Sequence, residues 1–214
     1  TIKQNVLRKI KPDIDENKRV KIFLENIVNI TKSITDKEFS FCGSIGKHTW
    51  LKGDHDIDLF IEFPATASRE ELEKEGLDIG KKIAKAINGA HIIKYAEHPY
   101  VMVRVNDFMM DIVPCYKIQK GEKIKSAVDR SPLHRDFVLE KIYPAMRDEI
   151  RVLKQFCKGV GVYGSDTKTE GISGYTCELL VIQYGKFEDV LKNISKWSPG
   201  KAIELIKAGK KFKE

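Results

Sequence analysis

Residues 56–63, DIDLFIEF, restrict the fold more than any other stretch of this chain. They read as a β-strand closed by Pro64, and a strand sends successive side chains to opposite faces. Ile57 and Leu59 share one face, while Asp56 and Asp58 share the other. The apolar face demands a hydrophobic core on that side of a sheet. The other face sets two carboxylates side by side, where they repel unless a cation sits between them or water solvates both. Taken alone, a D-x-D is more readily a solvated strand start than a ligand site.

The segments around this strand predict a mixed α/β half followed by an all-helical half. Residues 1–36 read as helical, with Val20, Phe23, Leu24, Ile27, Val28 and Ile30 on a broad apolar face. EFSFC (38–42) alternates as a strand and runs into Gly43-Ser44, and IGKHTWLKG (45–53) makes a helical turn or two stopped by Gly53. SREELEKEGLDIGKKIAKAI (68–87) is an amphipathic helix, Ser68 its N-cap and Glu71 completing a capping box. Two strand regions follow, HIIKYAEHPYV (91–101) with VMVRVN, and FMMDIVP (108–114), the turn VND predicting a hairpin. From about residue 130 the texture changes. Residues 131–162, 174–194 and 200–209 all read as helices, separated by loops bearing Gly and Ser.

Composition narrows the class. At 214 residues the chain can hold one large domain or two small ones, and its 42% hydrophobic and 32% charged residues are those of a folded globular protein. It has no 18-residue apolar run for a membrane span and no apolar segment near its start for a secretory signal. Thr1 opens the sequence without a Met, as in a chain trimmed or excised from something longer. Cys42, Cys115, Cys157 and Cys177 form no C-x-x-C pair, so they read as buried free thiols of a reducing cytoplasm. A net charge of +7 favours polyanionic partners such as nucleic acid. Oligomeric state is left open, a homodimer included. His48, His55 and His91 have no matching partner set and read as surface or capping residues, and Trp50 and Trp197 as packing anchors.

Two neighbours turn the aspartate pair into a candidate site. Gly43-Ser44 stands at a strand end before a short helix, where backbone N–H groups and a hydroxyl can hold a phosphate that the missing Cβ lets approach. Asp111 interrupts an otherwise apolar strand, and a buried carboxylate there implies a ligand, most simply a metal. Three carboxylates on two strands beside a phosphate-holding turn suit a two-Mg²⁺ site, with the ions about 3.5–4 Å apart.

This arrangement resembles the nucleotidyltransferase superfamily built on a polymerase-β-like palm, whose pattern is G-S, then D-x-D, then a later single Asp. FCGSIGKHTWLKGDHDIDLFIEFP, KYAEHPYV, MDIVPCYKI, IKSAVDRSPLHRDF, EIRVLKQFCKGVGVYGS and GISGYTCELLVIQYGKF, in order from residue 41 to 187, are similar to the archaeal, class I CCA-adding enzymes. The resemblance implies an α+β fold: a palm of mixed sheet flanked by helices (1–130), then an all-helical neck (131–214). It implies Mg²⁺ as cofactor, CTP and ATP as substrates and the 3′ end of tRNA as acceptor. Asp56, Asp58 and Asp111 would hold the metals, Asp111 also helping to take the proton from the primer's 3′-hydroxyl. Gly43 and Ser44 would receive the triphosphate.

The family's G-S-x-A-R here reads G-S-I-G-K, so Lys47 keeps the Arg's charge without its bidentate fork. His134, Lys154 and Tyr163 match positions that bind the incoming nucleotide. Read without the resemblance, they are a helix cap, a solvated lysine and a loop aromatic. Glu97 and His98 fall on a strand that either faces the primer end or is merely structural. GYTCELLVIQYG reads as a buried neck helix. Full-length members are roughly twice as long, with a body and tail after the neck that this chain does not contain, so it is a fragment or a natural short relative. Two rival functions remain: a short nucleotidyltransferase that adenylylates another substrate, and a nucleotide- or RNA-binding module without full activity.

Overall fold

The strand at 56–63 forms as β2 (Asp56–Phe63), next to the centre of a five-stranded sheet of order β1-β2-β5-β4-β3. The computed structural model describes residues 1–119, 121–164, 169, 171–198, 200–203 and 205. Within them the chain divides into two compact units, Lys11–Leu139 and Thr1–Ile10 with the residues from Glu140 onward.

The sheet belongs to the unit Lys11–Leu139. β1 (Glu38–Phe41) runs antiparallel to β2, and β2 runs parallel to β5 (Phe108–Tyr116). β4 (Pro99–Val105) and β3 (Ala90–Tyr95) complete it in antiparallel fashion, so the sheet is mixed. The core lies on the face carrying Ile57, Leu59, Ile61, Phe63, Val101, Val103, Met110 and Ile112. It is covered by Leu72, Ile79 and Ile83 of α4 (Arg69–Ala86) and by Val20 and Ile27 of α2 (Ile14–Ile34). Ser68 caps α4 by accepting from the Glu71 backbone N–H at 3.1 Å.

Two local breaks differ from the simple periodic reading. The helical start splits at residues 11–13 into α1 (Ile2–Ile10) and α2. Pro12 cannot donate within a helix, and Asp13 caps α2 by accepting from Glu16 N–H at 2.9 Å. The region 91–101 is two strands, because Pro99 cannot donate to a ladder and opens β4 instead. Glu97 and His98 therefore lie in the turn between β3 and β4 and not on a strand. The hairpin between β4 and β5 forms as expected, with Asn106 taking the left-handed φ of 51° that asparagine tolerates.

The second unit contains α1, α6 (Pro144–Gly159), α7 (Gly174–Tyr184) and α8 (Phe187–Ile194), with an isolated bridge pairing Tyr163 and Ile172. Lys3 on α1 pairs with Glu149 on α6 at 2.6 Å, and Glu149 accepts from the Phe187 N–H that opens α8 at 2.8 Å. Pro144 sits in the first turn of α6, where its missing N–H costs nothing. Gly185, at φ 85°, ends α7. Of the expected helix over 200–209, residues 204 and 206–209 lie outside the described residues, and residues 200–203 and 205 are not helical. α5 (Arg130–Lys141) precedes α6, and the boundary between the units falls near its end.

Candidate active site

The site forms where β1 hands over to α3 (Gly43–Gly46) beside the start of β2. Cys42 N–H donates to the Asp58 carbonyl at 2.8 Å, which anchors this turn on β2. Gly43 follows with φ 60°, and a Cβ added there would lie 1.7 Å from Asp58 Oδ2 and 2.8 Å from its Cγ. The space a side chain would take is filled by the Asp58 carboxylate. The glycine is required by a neighbouring carboxylate as well as by any approaching phosphate, which the G-S motif alone does not disclose. Gly46 is tight for another reason: a Cβ there would meet the Phe41 carbonyl oxygen at 2.1 Å, so an alanine would need a differently placed turn. Ser44 is half-buried, and its carbonyl accepts from Thr49 N–H at 2.9 Å.

Parallel pairing sets Asp58 directly beside Asp111, and Asp56 beside Met109, so all three aspartates share the face opposite the core. Asp56 is exposed, Asp58 and Asp111 half-buried. Burial pushes the Asp58 carboxyl up to about 6, helped by the negative charges of Asp111 and Asp56 and opposed by Lys47. Burial and Asp56 raise Asp111 as well, with Lys94 opposing. Asp58 thus feels both other carboxylates and Asp111 feels Asp56, a repulsion a divalent cation would relieve. Among the described residues no three His, Cys, Asp or Glu side chains converge to hold a metal ion by themselves. An open carboxylate set fits Mg²⁺, which keeps waters and phosphate oxygens among its ligands.

Lys47 is buried, with its charge acting on Asp58. Sequence reading did not single out Tyr100 or Lys94, both exposed or half-exposed on this face. Tyr100 is raised by burial and by Asp111 and Asp58, while Lys94 pairs across β3–β4 with Tyr100. Only the register, Met102 opposite Asp111, reveals that this alternate set shares the carboxylate face.

The remaining expected residues lie on helices and a loop. His134 is half-buried on α5. In the second unit, Lys154 is buried on α6 and pairs at 3.4 Å with Glu178 of α7, a residue the apolar run CELLVIQY conceals. A Cβ on Gly174 would lie 2.9 Å from the Tyr163 hydroxyl and 3.6 Å from Lys154 Nζ, so these two groups converge on the first residue of α7. Lys154 is therefore not a solvated lysine.

His55, expected at the surface, is buried. Its Nε2 meets Glu16 Oε1 at 2.8 Å and its Nδ1 meets Asp107 Oδ2 at 2.9 Å, while Arg19 pairs with Asp107 at 2.8 Å. Its carbonyl accepts from Met109 N–H at 3.1 Å. This cluster ties α2 and the hairpin tip to the start of β2, one residue before Asp56.

Comparison with known proteins agrees with the geometry. The nucleotidyltransferase domain family matches residues 24–134, more than half of the chain. The chain belongs to the nucleotidyltransferase family. A second match, described as the second domain of tRNA nucleotidyltransferase, covers residues 148–214 of this nucleotidyltransferase. A CCA-adding enzyme of Methanocaldococcus jannaschii is 44% identical over 210 residues, which are 95% of this chain and 47% of that protein. One from Sulfurisphaera tokodaii is 42% identical over 217 residues, 99% of this chain and 50% of that protein. The chain spans about half the length of the curated relatives it matches. A solved structure of a cytoplasmic RNA terminal U-transferase is similar in fold, with a TM-score of 0.62 at 18% identity over 86% of this chain and 52% of that one. The α+β fold implied by the sequence, a mixed sheet with flanking helices, is the fold of this nucleotidyltransferase. The family generally uses a divalent metal. No helix among the described residues is long and apolar enough to cross a membrane.

Proposed function

We propose that this chain carries the transferase part of a CCA-adding enzyme, placing CMP, CMP and AMP from CTP and ATP on the 3′ end of tRNA in the cytoplasm. The observation that carries the transferase reading is the register that sets Asp58 beside Asp111 over Gly43. Relatives named CCA-adding enzymes, 42–44% identical across nearly the whole chain, support the choice of tRNA.

Asp56, Asp58 and Asp111 would hold Mg²⁺, which neutralises triphosphate charge and makes the attacking hydroxyl more acidic. Asp111, its carboxyl raised by burial and by Asp56, accepts the proton of the terminal 3′-hydroxyl. The oxygen so freed attacks the α-phosphorus in line: a new O–P bond forms, and the bond to pyrophosphate breaks. Ser44 Oγ and the N–H groups of the Gly43 turn donate to triphosphate oxygens, and Lys47 adds a point charge. His134, Lys154 and Tyr163 contact the nucleotide. The protein supplies position and charge compensation rather than a covalent nucleophile.

The test is incorporation of labelled CMP and AMP into tRNA ending at its discriminator base, with Asp56→Ala and Asp58→Ala compared after both are shown to fold. Loss of Mg²⁺-dependent transfer in both variants is expected. Undiminished transfer would sink the catalytic assignment. Transfer of AMP to some other acceptor, with none to tRNA, would overturn the tRNA part alone.

A further inference from the structure

Lys154 presents a problem that its own helix does not solve. It is 2% exposed on a face of α6 that also buries Ile150, Leu153 and Cys157. An ammonium taken from water into such a setting discharges unless a counter-charge comes with it. The counter-charge is the carboxylate of Glu178, on α7 and fully buried at 0% exposure, 3.4 Å from Lys154 Nζ. A buried carboxylate in an apolar helix is equally unstable by itself, so each side chain accounts for the other. At 3.4 Å the pair is looser than a tight charge-assisted bond of about 2.7–2.9 Å. Glu178 therefore compensates the lysine, whose Nζ lies, like the Tyr163 hydroxyl, beside Gly174 at the start of α7. An ammonium, a phenol hydroxyl and a helix N-terminus pointing at one place form a receptor for an anionic oxygen.

We propose that Glu178 is a positioning residue: its buried carboxylate fixes the Lys154 ammonium beside the Tyr163 hydroxyl, so that the nucleotide's phosphate meets a preformed cation. This rests on the reading that Lys154 contacts nucleotide. In this role Glu178 touches no substrate and acts on the nucleotide through Lys154. Deleting its charge while keeping its shape therefore lowers nucleotide affinity only while Lys154 is present.

The experiment is a double-mutant cycle of Glu178→Gln and Lys154→Met in the 214-residue chain, read by calorimetry with Mg-ATP and by thermal melting. Each single variant should raise Kd for Mg-ATP about tenfold, and the double variant should bind no more weakly than Lys154→Met. In transfer assays Glu178→Gln should raise KM for ATP more than it lowers kcat. If Lys154→Met binds Mg-ATP as the parent does, the nucleotide reading of Lys154 fails and the proposal fails with it. If Lys154→Met weakens binding but Glu178→Gln does not, only the positioning role is overturned. Equal losses from Glu178→Gln with and without Lys154 would also overturn it. Should Glu178→Gln fail to fold, the double variant decides: folding restored by removing both charges supports the pairing, and continued failure refutes it.

Discussion

Replacing Gly43 by Ala puts the main geometric claim at risk. Two costs are expected, and the structure separates them. At φ 60° an alanine carries the left-handed penalty of about 1–2 kcal/mol. Its Cβ would also stand 1.7 Å from Asp58 Oδ2, so the carboxylate must rotate away, at about 0.5–1.5 kcal/mol for an off-rotamer side chain. Together these give roughly 1.5–3.5 kcal/mol, or a fall of about 5–10 °C in the melting temperature of that unit. Calorimetry of the metal-free protein measures the sum. The second cost depends on Asp58, so Gly43→Ala should be less harmful in an Asp58→Ala background, where only the left-handed penalty remains. Gly43→Asn reverses the weighting, since asparagine tolerates the backbone but keeps the clash. Moving the Asp58 oxygens by about an ångström should also slow transfer about a hundredfold. Equal destabilisation by Gly43→Ala with and without the Asp58 carboxylate would refute the packing argument.

The raised Asp58 carboxyl makes stability depend on pH. Its folded value of about 6 lies above the ordinary value near 4, so the native state binds the proton more tightly and stability falls as pH rises from about 4 to about 6. The loss is about 2–3 kcal/mol without metal, and urea titrations across that window should show it shrinking in Asp58→Asn. His55→Ala strips the 8%-exposed Glu16 of its bridging partner and should cost about 3 kcal/mol in a urea midpoint; a loss below about 1 kcal/mol would contradict the bridge. Thiol titration at pH 8 should find no rapidly reacting cysteine in the native protein and four after denaturation, because all four are buried and burial holds Cys42 up at about 12.

Strong local signals carried much of the fold in the sequence. β2 was visible from alternation, α4 from its Ser68 cap, and the β4–β5 hairpin from Asn106-Asp107. The carboxylate site was visible because like charges at a two-residue spacing must point the same way. What stayed hidden depends on contacts distant in sequence. His55 reads as a polar loop residue until Glu16, thirty-nine positions earlier, and Asp107 close around it. Glu178 sits in a run so apolar that its partner on another helix cannot be guessed. Gly43 suggested a phosphate, and the competing occupant, Asp58 Oδ2, became evident only from how β1 and α3 lie against β2. Pro12 and Pro99 were the local signals underweighted: a missing N–H already disfavours the middle of a helix and of a strand.

The two faces of β2 are linked energetically. On one face Ile57, Leu59, Ile61 and Phe63 are no more than 1% exposed, and burying each contributes about 1.5–3 kcal/mol. On the other, ionising Asp58 beside Asp111 and Asp56 opposes folding by about 2–3 kcal/mol near neutral pH. The core face outweighs that repulsion severalfold, so the strand stays in register although Lys47 and Lys94 offset the repulsion only in part. A second buried cation beside Lys47 would relieve the repulsion from within and leave little electrostatic reason for a metal to bind. The strand can therefore keep Asp56 and Asp58 on one face because the opposite face of the same eight residues keeps it folded.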